Sequence, residues 1–324
     1  MFFFDLEFIS FMYELSDELS DEDFKEVLET NMFNNKRVFV KIMPITEKEI
    51  IAFDGKDMYN LDPMFLFVLH KNSPNPWREV IAQREAYVKN PRIFPQLYYV
   101  RVVDLKTNHD FDYTIDSELN VKIKELNEST KYLAIISEYL GGYIVMDDYL
   151  KLYPSQIEEM IKKMIYITDI MRDIQLYHFD AHLFNFMTDG FNVKVIDFGT
   201  SILIPYTTLR VDEKLALSNV TYRDFGMLIF NIMICIIYIN INDINRDHCY
   251  YIMKNMRKYK FMNDFLKYQQ ICLLLFDYFD DDITFPNEKI KIELEKCKQD
   301  VFCFRCRQFG HSPNKCYRMV LMDF

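Results

Sequence analysis

The sequence predicts an α+β fold in two lobes, a smaller strand-rich one followed by a larger helical one. Three observations carry this expectation. At 324 residues the chain has the length of two domains or two lobes. Before residue 140, the runs VFVKI, YYVRVV and YLAIISEY are rich in β-branched and aromatic residues and read as strands. Beyond residue 153, apolar residues recur at helical spacing. Hydrophobic residues make up 50% of the chain and charged residues 27%, enough apolar content for a sizeable core.

The opening MFFFDLEFIS has no basic stretch ahead of its apolar run and soon turns acidic, so no signal peptide is expected. Residues 1–30 hold ten acidic groups against Lys25 alone, so they account for all but about −2 of the net charge of −11. This acidic segment reads as a solvated face or a mobile arm. Within it, Ser20 followed by Asp21, Glu22 and Asp23 has the chemistry of a helix N-cap, and a short helix to about Glu29 follows. Asn34-Asn35 suits a tight turn, and Val38 to Ile42 is a strand with Lys41 inside its apolar run. Met43 to Pro76 reads as an inserted loop.

Trp77 to Lys89 is helical, with Val80, Ile81, Ala82, Glu85 and Val88 sharing one broad face. A carboxylate on an apolar face needs a partner, and Lys41 is the candidate for Glu85, while Glu79 falls off that face. Gln96 to Asp104 and Lys131 to Tyr139 are strands separated by a polar excursion. Pro154 to Gln175 is a long amphipathic helix, with Ile157, Ile161, Met164, Ile165, Thr168 and Met171 in register. Phe225 to Ile241 is the strongest membrane candidate, but it is slightly short and carries Asn231 and Asn240, which favours a buried helix. Residues 243–300 are helical in pattern. The seven cysteines, three of them clustered near the end, do not form a secreted disulfide framework.

The chemistry concentrates in YHFDAHLFNFMTDGFNVKVIDFGT, Tyr177 to Thr200. Asp180, Asn185 five residues later and Asp197 twelve beyond that are the groups phosphoryl transfer needs, because that reaction depends on metal ions, positioning and charge neutralisation. Asp180 can orient an attacking hydroxyl and accept its proton. Asn185 and Asp197 offer the oxygen ligands that magnesium takes. A second Asp-Phe-Gly, Asp224 to Gly226, shows that the triplet alone is uninformative; the ordered pair HxDxxxxN and VIDFG is specific.

On those motifs the chain resembles the eukaryotic-type protein kinase superfamily, and specifically the divergent serine/threonine kinases of large DNA viruses, over roughly residues 30–290. The resemblance implies a two-lobed protein kinase-like fold, with a small lobe over 31–140 and a large lobe over 141–295. It implies ATP and magnesium as cofactors, a protein substrate phosphorylated on serine or threonine, and a location inside the host cell, in the cytoplasm, away from membranes. By the same resemblance Lys41 and Glu85 orient the nucleotide phosphates, and Glu138 and Tyr139, within Ser137 to Gly142, form the hinge that holds adenine. His178 packs, and Asp224 braces the catalytic loop. Several departures are visible. No glycine precedes Gly55, so the glycine-rich phosphate loop is missing. Phe179 replaces the usual arginine, His182 replaces the usual lysine beside the base, and no A-P-E triplet follows Gly199. These departures keep two alternatives open, a small-molecule kinase and a pseudokinase scaffold.

A second site lies near the end, at 301–318. Cys303, Cys306, His311 and Cys316 have the spacing C-x2-C-x4-H-x4-C, which suits tetrahedral zinc and resembles the retroviral-type CCHC zinc knuckle. Arg305, Arg307, Lys315 and Arg318 make it basic, with no acidic residue from 301 to 318. With Phe304 as a stacking surface, Arg305, Arg307 and Lys315 are candidate contacts to single-stranded nucleic acid. A protein contact or a purely structural role is the alternative.

Overall fold

The structure is a computed structural model that describes residues 20–47, 50, 76–104, 124, 127–203, 221–241, 244–280 and 285–298, with the backbone of 302–303 and 308–309. The chain is α+β and divides into two compact units. The first comprises Met1–Tyr143, Ile174–His178 and Lys194–Arg210; the second comprises Ile144–Asp173, Phe179–Val193 and Val211–Phe324.

The first unit is organised by an antiparallel sheet of four strands. Helix α1 (Asp21–Thr30) precedes it, capped by Ser20, whose Oγ accepts from the Asp23 N–H at 3.1 Å. Strands β1 (Met32–Phe33) and β2 (Lys36–Pro44) are joined through Asn34 and Asn35, at φ +50° and +61°. That pair of left-handed residues is what a two-residue hairpin turn needs, and asparagine tolerates it better than most residues. Strands β3 (Leu97–Asp104) and β4 (Lys131–Glu138) complete the sheet in the order β1-β2-β4-β3, with Lys41 opposite Ile135.

Both sheet faces are covered. Phe24 and Val27 of α1 pack with Val38, Tyr99, Ala134 and Ile136 on one side. Trp77, Val80 and Ile81 of α2 (Pro76–Lys89) pack with Ile45, Leu97, Val100, Leu133 and Ile135 on the other. This explains why β4 is buried continuously from Tyr132 to Ser137 instead of alternating. The acidic segment thus contributes a helix with a buried apolar stripe, and this helix stands where the resemblance calls for two strands and a glycine-rich loop. The short strands β6 (Leu176–Tyr177) and β9 (Ile202–Leu203) pair antiparallel in the same unit.

The second unit is mainly helical. Strand β5 (Ile144–Val145) pairs with β7 (Phe186–Thr188), and the chain returns to the first unit through β8 (Val193–Val195). Helix α3 (Met146–Leu152) leads to a 3-10 turn, Pro154–Gln156, and then to α4 (Ile157–Asp173). The expected helix from Pro154 therefore begins as 3-10, and its predicted apolar positions are all buried, together with Met160 and Ile167. Helix α5 (Arg223–Asn240) is long and apolar enough to cross a bilayer, but 61% of it is buried inside the protein, as in a core helix. Its two asparagines bond back to their own helix, Asn231 Nδ2 to Met227 O and Asn240 Nδ2 to Ile236 O, both at 2.8 Å. Helix α7 (Gln269–Asp280) packs against α5, as do α3 and α4, while α6 (Arg246–Lys254) and α8 (Asn287–Lys298) pack on α7. A Cβ on Gly226 would stand 3.1 Å from Ile290 Cδ1, so the second Asp-Phe-Gly triplet owes its glycine to close helix packing.

Candidate active site

The first unit builds a three-membered ion cluster. Lys41 points from β2 to the side of the sheet that α2 covers. Its Nζ donates to Glu79 Oε1 at 2.7 Å, Glu79 Oε2 at 2.8 Å and Asp197 Oδ1 at 2.8 Å, which uses all three ammonium protons. Glu79 is 4% exposed, Lys41 28% and Asp197 49%, so the cluster runs from a buried end to an open one. Burial would lower the lysine's pKa, but the Glu79 and Asp197 carboxylates outweigh it and raise it. Burial pushes the Asp197 carboxyl up, yet Lys41, aided by His178 and the Gly199 N–H, holds it below the usual carboxylate range. Glu79 is pushed up, by burial first and by Asp197 second, against the pull of Lys41.

Glu79 therefore takes the place expected for Glu85, and that expectation is corrected. Glu85 lies instead with its Oε1 3.3 Å from Arg84 Nη1. The helical wheel misjudged α2 because the helix is buried on more than one side. Glu79, Val80 to Gln83, Glu85 and Ala86 are all buried, whereas Val88, which had helped define the apolar face, is 64% exposed.

Asp197 itself has φ +60°, a strained backbone for a residue other than glycine. Its segment is anchored from behind. His178 is fully buried, its Nε2 lies 3.0 Å from Ile196 O and its ring packs 5.5 Å from that of Phe198. The Thr200 hydroxyl donates to His178 O at 2.8 Å.

At the predicted hinge, the Glu138 N–H donates to Gln96 O at 2.8 Å, and its carboxylate Oε2 accepts from the Gln96 N–H at 3.1 Å and from Lys194 Nζ at 3.2 Å. Lys194 is buried and also donates to Pro91 O at 2.9 Å and Phe94 O at 3.3 Å. It ties the hinge, the loop after α2 and the strand leading to Asp197 into one network. Tyr139 is 40% exposed, with the Arg37 guanidinium 4.3 Å from its ring centroid.

Asp180, His182 and Asn185 belong to the second unit, in the loop before β7. The Asn185 Nδ2 donates to Asp180 O at 2.9 Å and lies 3.3 Å from Asp180 Oδ2. His182 Nε2 lies 3.4 Å from Asp180 Oδ2 and 3.3 Å from Asn185 Nδ2. The Asn185 N–H closes a 3-10 turn onto His182 O. The Asp180 side chain remains 44% exposed. From α5, Asp224 Oδ1 accepts the Phe179 N–H at 2.8 Å.

Asn185 and Asp197 fit magnesium by donor type. Asn185, 5% exposed in the second unit, carries an amide oxygen, and Asp197 in the first unit carries a half-exposed carboxylate; each is a hard oxygen donor. For zinc, Cys303 is described in backbone only, in the two-stranded pairing of β10 (Phe302–Cys303) with β11 (Gln308–Phe309). Cys306, His311 and Cys316, with Phe304, Arg305, Arg307 and Lys315, lie outside the described residues. So do most of the predicted loop from Met43 to Pro76 and of the polar excursion after Asp104.

Lys194 and Arg223 were not singled out from the sequence. The one available signal was a basic residue inside or bordering an apolar run.

No protein-family model matches the chain, and no curated protein matches it. Among solved structures, one described as "WaaP in complex with acyl carrier protein" is similar over 68% of this chain and 74% of that one, at 10% identity and a TM-score of 0.32. A likeness that slight carries no weight for fold or function.

Proposed function

We propose that the chain is an ATP-dependent phosphotransferase of the protein kinase type, acting on serine or threonine hydroxyls of a protein substrate. The observation that carries this reading is the Lys41–Glu79–Asp197 cluster. It joins a strand lysine, a helix glutamate and the aspartate of VIDFG, three segments far apart in sequence, in the pairing such enzymes use to hold nucleotide phosphates. Glu79 fixes the ammonium from its buried side, and phosphate oxygens would take the place of Asp197 on the open side. Asp180, oriented by Asn185 and His182, is the group to orient the acceptor hydroxyl and accept its proton. Bound magnesium, held by Asn185 and Asp197, would neutralise charge on the nucleotide phosphates. Glu138 and Tyr139 mark the hinge for adenine, the Glu138 side chain being locked by Lys194.

The motifs and their resemblance support an origin in a large DNA virus and a site of action in the host cytoplasm. A small-molecule kinase is the second reading, favoured by His182 within bonding distance of the base, where protein kinases carry lysine. The C-terminal C-x2-C-x4-H-x4-C is proposed as a zinc knuckle that contacts single-stranded nucleic acid through Phe304, Arg305, Arg307 and Lys315.

The test is transfer of labelled γ-phosphate from ATP and magnesium to a mixed protein substrate and, in parallel, to small hydroxyl compounds. Incorporation into serine and threonine, reduced about 10²–10⁴-fold by Asp180→Asn, is the expected result. Transfer confined to the small compounds would move the reading to the small-molecule class, and no transfer from the folded wild type would refute both.

A further inference from the structure

We infer that Arg223 is a positioning residue for the catalytic base, an inference that rests on the reading of Asp180 as that base. The residue before Asp180, Phe179, is buried and has φ +63°, a left-handed conformation that a side chain of this size rarely adopts. Such a conformation persists only where the surroundings impose it. Here two consecutive residues of the first turn of α5 grip both polar groups of Phe179. Its N–H donates to Asp224 Oδ1 at 2.8 Å, and its carbonyl accepts from Arg223 Nη1 at 2.6 Å, both in buried surroundings. That carbonyl belongs to the peptide unit joining Phe179 to Asp180, so the guanidinium sets the plane from which the base projects.

The clamp is itself anchored. Arg223 is 7% exposed, its guanidinium carbon lies 5.6 Å from the Phe179 ring centroid, and it bonds Tyr278 of α7. Just before it, the Tyr222 N–H donates to Asn287 Oδ1 at 2.8 Å, which fixes the start of α5 against α8. The Asp224 and Asp180 carboxylates both act on the guanidinium, so the buried cation has anionic company, as a buried charge must. At position 179, beside the base, the chain carries phenylalanine where its resemblance calls for arginine. A guanidinium nonetheless reaches the loop, from a helix 44 residues further along.

Steady-state transfer from ATP by wild type, Arg223→Lys and Arg223→Met tests this, with hydrogen exchange over residues 177–184 followed on the same samples. The expected result is a kcat lowered about 10-fold in Arg223→Lys, which keeps the charge and loses the planar fork, and about 100-fold in Arg223→Met. The ATP KM stays within about twofold, because Lys41 and Glu79 are untouched. Exchange over 177–184 quickens in the same order. A wild-type kcat in Arg223→Met, or losses no larger than those of a packing control such as Ile229→Val, would overturn the role while leaving the kinase reading intact. Should Arg223→Met fail to fold, Arg223→Lys decides alone, and a kcat within about twofold of wild type overturns the inference. Absence of transfer by the folded wild type refutes the reading of Asp180 and the role of Arg223 with it.

Discussion

Replacing Lys41 by methionine would strand the Glu79 carboxylate, 4% exposed, without the ammonium that holds both of its oxygens, and with Asp197 as an added negative neighbour. Breaking a buried pair from one side costs about 3–5 kcal/mol, because the remaining charge is left uncompensated. Glu79 has an escape, since burial and Asp197 already push its pKa up and the loss of Lys41 pushes it further. A raised carboxylate destabilises the folded state in full above its folded value; the cost shrinks as pH falls from there and is gone below its unfolded value. The cost of Lys41→Met should therefore shrink on acidification, by at most about 1.4 kcal/mol per pH unit while Glu79 takes up its proton. Adding Glu79→Gln to Lys41→Met should recover about 2–3 kcal/mol at neutral pH, within the range of measured coupling between contacting residues. Glu85→Gln should add to Lys41→Met within about 0.5 kcal/mol. Trp77, the only tryptophan in the chain, is buried in the core between α2 and the sheet, so its fluorescence reports urea unfolding of the unit that holds the cluster. Additive losses for Lys41→Met and Glu79→Gln, with coupling to Glu85 instead, would refute the geometry.

Asp197 titrates below the usual carboxylate range, so its contribution to stability is present above that range and is lost as pH falls through its lowered value; Asp197→Asn should flatten this acid limb of the Trp77 unfolding midpoint, and an unchanged limb would count against the pair. Ser20→Ala removes the acceptor of the Asp23 N–H and should cost about 1 kcal/mol, read by the same fluorescence because α1 shares the sheet's core; a neutral result would show α1 to be dispensable. The purified chain should bind one zinc through the C-terminal cluster, and Cys306→Ser should release it, whereas retained zinc would remove the knuckle from the account.

Much of the architecture was legible because local chemistry and the fold agree. Ser20 ahead of three acids marked a helix start, Asn34-Asn35 marked a turn, and the apolar runs of β2, β3 and β4 marked strands. Asp224, at the start of an apolar helical run, is expected to hold the loop that carries Asp180, and its carboxylate accepts the N–H of Phe179 in that loop. The choice between Glu79 and Glu85 was not legible, since a helix buried on several sides has no single apolar face and only the position of Lys41 selects the partner. Lys194 and Arg223 escaped for a related reason. Their partners include carbonyls of Pro91, Phe94 and Phe179, which every residue possesses and no composition advertises. The helix occupying the place of the glycine-rich loop was visible at its cap, but its packing beneath the sheet required Tyr99 and Ile136 from distant strands.

The proposed function stands or falls on the Lys41–Glu79–Asp197 cluster as a magnesium-dependent ATP site. Calorimetric titration of ATP into the wild type and into Asp197→Asn, with and without magnesium, tests it most directly. The account predicts wild-type binding that tightens with magnesium, and a variant that has lost this dependence. Magnesium-independent ATP binding by the wild type, or no binding at all to the folded chain, would contradict it.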